Sequence, residues 1–323
     1  MKKILSLILA LIMCLSLCAC GGSDTAQTQP EADTSVVEEV QEVTPASIIK
    51  NAQLQYPTSN ELFKYNVYDT YVEITEYIGA DDAEEVVVPA MLEELPVYVV
   101  DNDVFRTSGV KSIVFEDGIY NIKTEFSADL VSVVLPSTLD YIGSSTFENC
   151  YSLENVVIPE GITGIQMDAF KHCGLLKTVT IPSTVSYLGN EAFAYCDGLE
   201  TVTLCEGLFS IDDGVFLGCE SLKSITIPNS VETIGYHAFQ GAGLEMIEIP
   251  ETVKKIGSGL FTGCEALTVV KVHNAELEIV PEKGFSIAML FSQCNPDLVV
   301  HGKAGSTIAK QCAQEDTFFE VMK

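Results

Sequence analysis

The chain has 323 residues, of which 47% are hydrophobic, and 46 acidic against 17 basic residues give it a net charge of −29. This apolar content is enough for a large core, so a wholly disordered chain is excluded. Nucleic acid is excluded as a natural partner, because its phosphate backbone would repel such an acidic protein.

The first twenty residues have the parts of an export signal. Met1-Lys2-Lys3 is a short basic start, and the 14 residues from Ile4 to Leu17 are almost entirely apolar. As a helix this stretch spans about 21 Å, less than the roughly 30 Å hydrocarbon core of a bilayer. We therefore interpret residues 1–19 as a signal peptide rather than a membrane span.

The end of this signal, Leu17-Cys18-Ala19-Cys20, resembles a bacterial lipobox. The resemblance implies cleavage before Cys20 and attachment of a diacylglyceryl group to its sulfur. The protein would then be exported and anchored by lipid to the bacterial cell membrane, facing outside. An ordinary secretory signal cut at the small residues is the alternative.

Residues 20–60 are predicted to be the lipidated Cys20 followed by an acidic, flexible tether. Six acidic residues and one base, Lys50, lie between Gly21 and Asn60, among many Gly, Ser, Thr, Gln and Pro residues. Such composition favours a solvated coil. A short helix between Pro45 and Tyr56 is the alternative for the end of this segment.

The rest of the chain is built on a repeat. Pro136, Pro159 and Pro182 are 23 residues apart, and Cys205 and Pro228 continue the interval. The unit that begins at residue 176 reads Leu-x-x-Val-x-Ile-Pro-x-x-Val-x-x-Leu-Gly-x-x-Ala-Phe-x-x-Cys, and neighbouring units keep most of these positions. Such a period is the signature of a repeat architecture.

The spacing predicts what each part of a unit forms. Leu-x-x-Val-x-Ile suits a short strand, and the proline that follows ends its pairing. We expect the recurrent glycine to supply a corner with positive φ. We also expect the recurrent phenylalanine to stack in the core as an aromatic spine. The glycines are Gly143, Gly189, Gly235 and Gly257, and the phenylalanines are Phe147, Phe170, Phe193, Phe216, Phe239 and Phe261.

One unit cannot bury its apolar side alone, whereas stacked units can, so we predict a solenoid with a parallel sheet. The unit resembles the BspA-like class of bacterial leucine-rich repeats over about residues 65–321. The resemblance implies a β-rich leucine-rich-repeat solenoid, right-handed and curved, with 23-residue repeats. It also implies surface display and binding to proteins or other cells, without catalysis. Gln166 and Asp212 depart from the pattern, because they replace the corner glycine.

The same resemblance implies a cap at each end of the solenoid. Residues 65–79 look like an N-terminal hairpin, and residues 298–319 look like a closing strand-helix-strand. The predicted organisation is an N-terminal cap with the first repeat at 61–105, leucine-rich repeats at 106–275, and a degenerate repeat with the C-terminal cap at 276–323.

Five cysteines recur at one position of the repeat. We interpret them as a structural ladder of buried, reduced thiols that act as small apolar side chains. The mature chain has no Cys-x-x-Cys pair, which disfavours zinc. Pairing of Cys294 with Cys312 in the C-terminal cap is left open. The ladder consists of Cys150, Cys173, Cys196, Cys219 and Cys264.

The sequence contains no recognisable catalytic, cofactor-binding or metal-binding motif. The four histidines are scattered, and no Gly-x-Ser-x-Gly motif is present. The carboxylate clusters 101–103 and 212–214 lack the spacing of a calcium loop. We interpret them as solvated turns and expect neither a catalytic residue nor a cofactor.

The outward positions of the strands form the candidate partner-binding face. If the Leu, Val and Ile of Leu-x-x-Val-x-Ile point inward, the third and fifth residues of the motif point outward. We expect hydroxyl groups in the middle, no histidine, and a row of exposed valines that makes contact. β-branched residues also simply favour strands, which is the alternative explanation. The candidate residues are Val114, Val134, Val157, Thr178, Thr180, Thr201, Thr203, Ser224 and Thr226.

These patterns favour a membrane-tethered surface protein, a monomer, that binds a protein or another surface macromolecule. A solute-capturing or sensing lipoprotein is the alternative, and it requires a concave pocket with convergent polar groups. A hydrolase is the third hypothesis, for which the sequence offers no nucleophile. The identity of the ligand is not encoded in any motif.

Overall fold

The computed structural model describes residues 44–283 and 289–322. The chain divides into residues 1–42 and 43–323, and the described residues belong to the second unit. The predicted signal peptide, Cys20 and most of the tether lie outside the described residues. Among those described, no helix is long and apolar enough to cross a bilayer.

The described chain begins with a short helix and an antiparallel hairpin. Helix α1 (Pro45–Asn51) is capped by Thr44, whose Oγ1 accepts a hydrogen bond from the Ser47 N–H at 3.4 Å. Strands β1 (Leu54–Ser59), β2 (Phe63–Tyr68) and β3 (Val72–Tyr77) then pair antiparallel in order.

Residues 20–60 were predicted to be a flexible tether, whereas β1 forms a strand within the last part of that range. β1 is an exposed edge strand that is held by backbone pairing to β2, and it contains Pro57. An edge strand tolerates proline and needs no alternation of apolar residues, so the sequence pattern does not mark it.

The hairpin continues directly into the solenoid. β3 pairs in parallel with β6 (Leu95–Val100), which also pairs antiparallel with β5 (Met91–Leu92) and in parallel with β8 (Asn121–Ile122). The antiparallel strands therefore share a sheet with the first parallel ones. Whether they act as a cap stays a prediction.

Two stacks of short parallel strands form the solenoid, which confirms the predicted fold. The first stack carries the Leu-x-x-Val-x-Ile strands and is divided into three sheets. Its strands are β4 (Val86–Val88), β7 (Ser112–Phe115), β9 (Ser132–Val134), β11 (Asn155–Val157), β13 (Thr178–Ile181), β15 (Thr201–Leu204), β18 (Met246–Ile249), β20 (Val269–Val272), β22 (Val299–Gly302) and β23 (Phe318–Val321).

The second stack is one sheet of seven very short strands, and its partners are 22 or 23 residues apart along the chain, as for Tyr187 and Ser210. Each turn thus repeats the turn before it. The strands are β10 (Tyr141–Ile142), β12 (Gly164–Ile165), β14 (Tyr187–Leu188), β16 (Ser210–Ile211), β17 (Thr233–Ile234), β19 (Lys255–Gly257) and β21 (Glu278–Val280).

The recurrent phenylalanines stack in the core, as predicted. Phe170 and Phe193 are fully buried, and their ring centroids are 5.1 Å apart with an interplanar angle of 3°. The spine is longer than the six predicted residues, since Phe105 and Phe126 extend it before Phe147 and Phe291 extends it after Phe261. Each turn therefore contributes one ring to a continuous core.

The prediction that the recurrent glycines supply a positive-φ corner is wrong. Positive φ occurs two residues after the glycine. Ser145, after Gly143, has φ of 57°, and Glu191, after Gly189, has φ of 56°. At Gly189, an added Cβ would lie 2.8 Å from Met167 N and 2.9 Å from Gln166 C. Glycine is needed there because the backbones of successive turns approach each other closely.

The C-terminal elements are a strand, a helix and a strand, in the predicted order. Helix α2 (Thr307–Gln314) is capped by Ser306, whose Oγ accepts from the Ala309 N–H at 3.3 Å. β23 then pairs in parallel with β22. The Glu315 carboxylate accepts from the N–H groups of Leu290 and Phe291, at 2.8 Å each, and so connects α2 to the end of the spine. The predicted capping role remains a prediction.

Candidate binding face

The outward residues of the first stack lie in two rows, and we call the surface they form the strand face. The first row contains the third residue of each Leu-x-x-Val-x-Ile motif, and the second row contains the fifth. In β13, Thr178 and Thr180 are exposed whereas Val179 and Ile181 are buried. The predicted inward and outward register is therefore correct at this strand.

Four valines stand next to one another at the N-terminal end of the second row. Val114 lies between Val87 and Val134, and Val134 lies beside Val157. Val87, Val134 and Val157 are 43%, 49% and 60% exposed, and Val114 is half-buried. Val87 was not among the predicted residues. The sequence does contain a signal for its strand, because Pro89 follows β4 directly, as the recurrent proline follows other strands of this stack. These four residues form the valine row.

The middle of the strand face carries hydroxyl groups, as predicted. Thr178 is paired with Thr201, and Thr180 is paired with Thr203. All four side chains are exposed. Neighbouring rungs of a sheet are about 4.8 Å apart, so these threonines form a small regular array without a charge.

The strand face is interrupted in the turn that follows β15. Residues 224–227 keep the repeat pattern, and Ile225 and Ile227 stay buried, yet they form no strand. No backbone hydrogen bond of the described chain joins these four residues to β15 or β18. A cleft of about 500 Å³ opens here, and Ser224, Thr226 and Glu248 are among its lining residues. The sequence did not predict this cleft.

The C-terminal end of the second row is charged, and it includes a histidine beyond the eight rungs that were predicted to have none. Glu248 faces Lys271, with Oε2 and Nζ 3.6 Å apart, and its Oε1 lies 2.6 Å from His273 Nε2. The hydrogen bond with His273, followed by the nearby Lys271, lowers the pKa of Glu248. His301 and Glu320 complete the row, 3.5 Å apart. The row is longer than predicted, because β22 and β23, which were assigned to the C-terminal cap, continue it.

The first row becomes apolar at the same end. Met246, Val269, Val299 and Phe318 are successive neighbours. Met246 is 44% exposed, and Phe318, in the last strand, is 61% exposed. The two ends of the strand face thus both present apolar side chains, in different rows.

The five predicted ladder cysteines are buried, and none of them forms a disulfide. Each thiol donates to the carbonyl oxygen of a spine phenylalanine in the preceding turn, as from Cys196 Sγ to Phe170 O at 3.1 Å. Cys294 continues the ladder through Phe261 O at 3.0 Å and is not bonded to Cys312. Burial raises the pKa of Cys150 and of Cys264 to about 12. These thiols therefore serve the core.

We expect the ladder thiols to stay reduced and to react only when the protein unfolds. With its pKa near 12, Cys150 has a thiolate population about a thousandfold below that of an ordinary cysteine at pH 8. Iodoacetamide should label the ladder slowly until denaturant is added. All eight described cysteines should then react, or six if Cys294 and Cys312 pair in cells. Disulfide-linked ladder peptides in a peptide map would contradict this expectation.

The carboxylate clusters of the turns hold neighbouring turns together. Asp213 Oδ1 accepts from the Tyr236 N–H at 2.8 Å, and Lys123 Nζ lies 3.7 Å from Asp101 Oδ1. Burial raises the pKa of Asp212. Over residues 44–283 and 289–322, no group of three or more His, Cys, Asp or Glu side chains is arranged to hold a metal ion.

Comparison with known proteins agrees with this architecture. The family model described as "BspA type Leucine rich repeat region" matches residues 98–222 and 189–295, with six copies. No curated protein matches the chain at a significant level.

Two solved structures are similar in fold. A leucine-rich cell surface protein from Faecalibacterium prausnitzii A2-165 is 23% identical, with 77% of this chain and 76% of that chain covered and a TM-score of 0.56. A leucine-rich repeat protein from Bacteroides ovatus ATCC 8483 is 24% identical, with 83% and 77% covered and a TM-score of 0.55. At these identities the similarity concerns the fold alone.

Proposed function

Because the chain belongs to the BspA-type leucine-rich repeat family, we propose that it is a lipid-anchored protein of the bacterial cell surface whose strand face binds another macromolecule. The binding is non-catalytic and serves adhesion or contact with a host or another cell. The proposal extends to this chain the description "cell surface protein" that a structural neighbour bears.

The valine row is the observation that carries the proposal. Val134 and Val157 are β-branched, adjacent and about half exposed, so burying them against a partner would remove apolar surface from water. Contiguous exposed apolar side chains on a soluble protein are typical of interaction sites. Because the array of threonines beside them has no charge, a protein partner can pack there and form hydrogen bonds.

Replacing both Val134 and Val157 with lysine is expected to weaken partner binding strongly while the fold is kept. A protein partner would have to bury two unpaired charges, which is costly, and we expect affinity to fall at least about tenfold. The change is restricted to these two exposed positions because Val114 is half-buried. Binding is measured as capture of host matrix proteins or bacterial surface fractions by the immobilised mature chain.

The control for this experiment has the same change in charge. Met167 and Phe209 are 50% and 54% exposed, and they lie beside the second stack rather than on the strand face. The variant Met167→Lys with Phe209→Lys should capture the same partner as the wild type. If the Val134→Lys/Val157→Lys variant folds and still binds at wild-type affinity, the valine row is not the site.

Lipid attachment at Cys20 has its own test. The apolar signal followed by Leu17-Cys18-Ala19-Cys20 leads us to expect a diacylglyceryl-modified N-terminal peptide in mass spectra of protein from native cells. The variant Cys20→Ala should lose the modification and leave the membrane fraction, since lipid chains supply the anchoring. An unmodified peptide that begins at another residue would refute the anchor.

A solute-capturing lipoprotein is the second candidate, and the cleft beside Ser224–Ile227 is the observation that favours it. Its volume of about 500 Å³ falls in the range of small-ligand sites. A concave site of this size is what the second candidate requires.

A further inference from the structure

The cleft lies where one turn of the solenoid leaves the strand ladder. Ile225, Ile227 and Ile247 line it, although their side chains are buried. The cleft therefore reaches down to the backbone of residues 224–227, whose N–H and C=O groups make no hydrogen bonds to β15 or β18. Main-chain N–H and C=O groups are strong hydrogen-bonding groups, so the backbone of residues 224–227 can offer donors and acceptors to a ligand beside the apolar isoleucines.

Three polar side chains on the wall of the cleft have no hydrogen-bond partner among the described residues. They belong to Ser224, Thr226 and Asn229, and all three are exposed. The backbone next to them is fixed, because the Glu206 carboxylate accepts from the N–H groups of Asn229 and Ser230 at 3.1 and 2.9 Å. Two hydroxyls and one amide thus point to a common space from a rigid support.

The opposite wall combines apolar surface with a carboxylate that already has partners. Met246 and Pro250 provide the apolar part. Glu248 is held by His273 at 2.6 Å and by Lys271 at 3.6 Å. A carboxylate oriented in this way still has lone pairs for a neutral donor, and its charge is balanced by its own chain.

These groups select a ligand by the pattern of donors and acceptors. Each hydroxyl and the amide of Asn229 can both donate and accept, and hydroxyl groups of a ligand do the same. An ammonium or guanidinium group only donates, and Glu248 already has Lys271 beside it and a hydrogen bond with His273. An anionic ligand would meet Glu248 and Glu251 in the lining of the cleft. Met246 and Pro250 suit the C–H surface of a sugar ring.

We infer that this cleft is a binding subsite for a neutral saccharide unit of a surface glycan. The inference rests on the proposed function and deepens it, because it names the ligand class for one part of the strand face. Ser224, Thr226 and Asn229 bind the sugar hydroxyls, Glu248 accepts from one of them, and Met246 packs against the ring. The valine row, at the other end of the same face, is free to contact the macromolecule that carries the glycan.

The test uses the mature chain and a microarray of neutral oligosaccharides, with sialylated and uronate-containing oligosaccharides and a lysine-rich peptide as further probes. At least one neutral oligosaccharide should bind with a dissociation constant of about 1 mM or lower, measured by titration calorimetry. The triple variant Ser224→Ala/Thr226→Val/Asn229→Ala should bind it roughly tenfold more weakly or worse, because three hydrogen-bonding groups are lost.

The control is Ser183→Ala/Ser186→Ala, which removes two exposed hydroxyl groups two turns away from the cleft and outside the strand face. It should bind the oligosaccharide within about twofold of the wild type, since a substitution outside the contact is nearly neutral. The inference is overturned if no neutral oligosaccharide binds, if the acidic oligosaccharides or the peptide bind in preference, or if the triple variant binds normally. Partner capture that is lost with Val134→Lys/Val157→Lys would show that the proposed function survives such a failure.

Discussion

Replacing Phe193 with alanine is expected to lower the free energy of unfolding by about 3–5 kcal/mol. Phe193 is fully buried, and its ring stacks between Phe170 at 5.1 Å and Phe216 at 5.9 Å. Its removal leaves a cavity in the middle of the spine, where each turn is held only by its neighbours. Urea unfolding of the mature chain, followed by circular dichroism, measures the change.

The control for this prediction is a phenylalanine outside the core. Phe209 is 54% exposed, so Phe209→Ala should change the free energy of unfolding by less than about 0.5 kcal/mol. A loss below about 1 kcal/mol for Phe193→Ala would mean that the spine is not the core of the solenoid.

Gly189→Ala should also destabilise the protein, by about 1–3 kcal/mol. The physical reason is the contact between turns, since the added methyl group would lie 2.8 Å from Met167 N. That atom belongs to the backbone and cannot move aside as a flexible side chain would. Melting temperature and urea unfolding both report the loss.

Gly174 offers a matched comparison in the same part of the solenoid. It has no positive φ, and an added Cβ would meet nothing within 4 Å. Gly174→Ala should therefore leave stability unchanged or raise it by up to about 1 kcal/mol, because alanine restricts the unfolded chain. Equal effects of the two substitutions would contradict the explanation by close approach of the backbones.

The architecture was predictable because each repeat unit of the sequence carries the same pattern of apolar residues. The interval between Pro136, Pro159 and Pro182, with one phenylalanine per unit, fixes both the length of a turn and its buried side. A shift of one residue in register would expose every core residue of a strand. The apolar positions of Leu-x-x-Val-x-Ile therefore must face inward, which was enough to place Thr178 and Thr180 outward.

Features that depend on contacts between turns were not predictable in the same way. The role of Gly189 follows from its distance to the preceding turn, which no single unit contains. Residues 224–227 have a normal repeat sequence but leave the ladder, so nothing local marks the cleft. His273 joins the strand face through Glu248, 25 residues earlier in the chain. The periodicity of the sequence predicts the typical turn of the solenoid. The cleft forms where one turn differs from that typical structure.

Photo-crosslinking from the strand face tests the central claim most directly. Benzoylphenylalanine is placed at Val157, which is 60% exposed on the valine row, or at Met167, which is 50% exposed beside the second stack. The protein is displayed on cells and irradiated in the presence of host matrix proteins. We predict a covalent adduct of higher mass from position 157 and none from position 167. An adduct from position 167 alone, or from neither position, would contradict binding through the strand face.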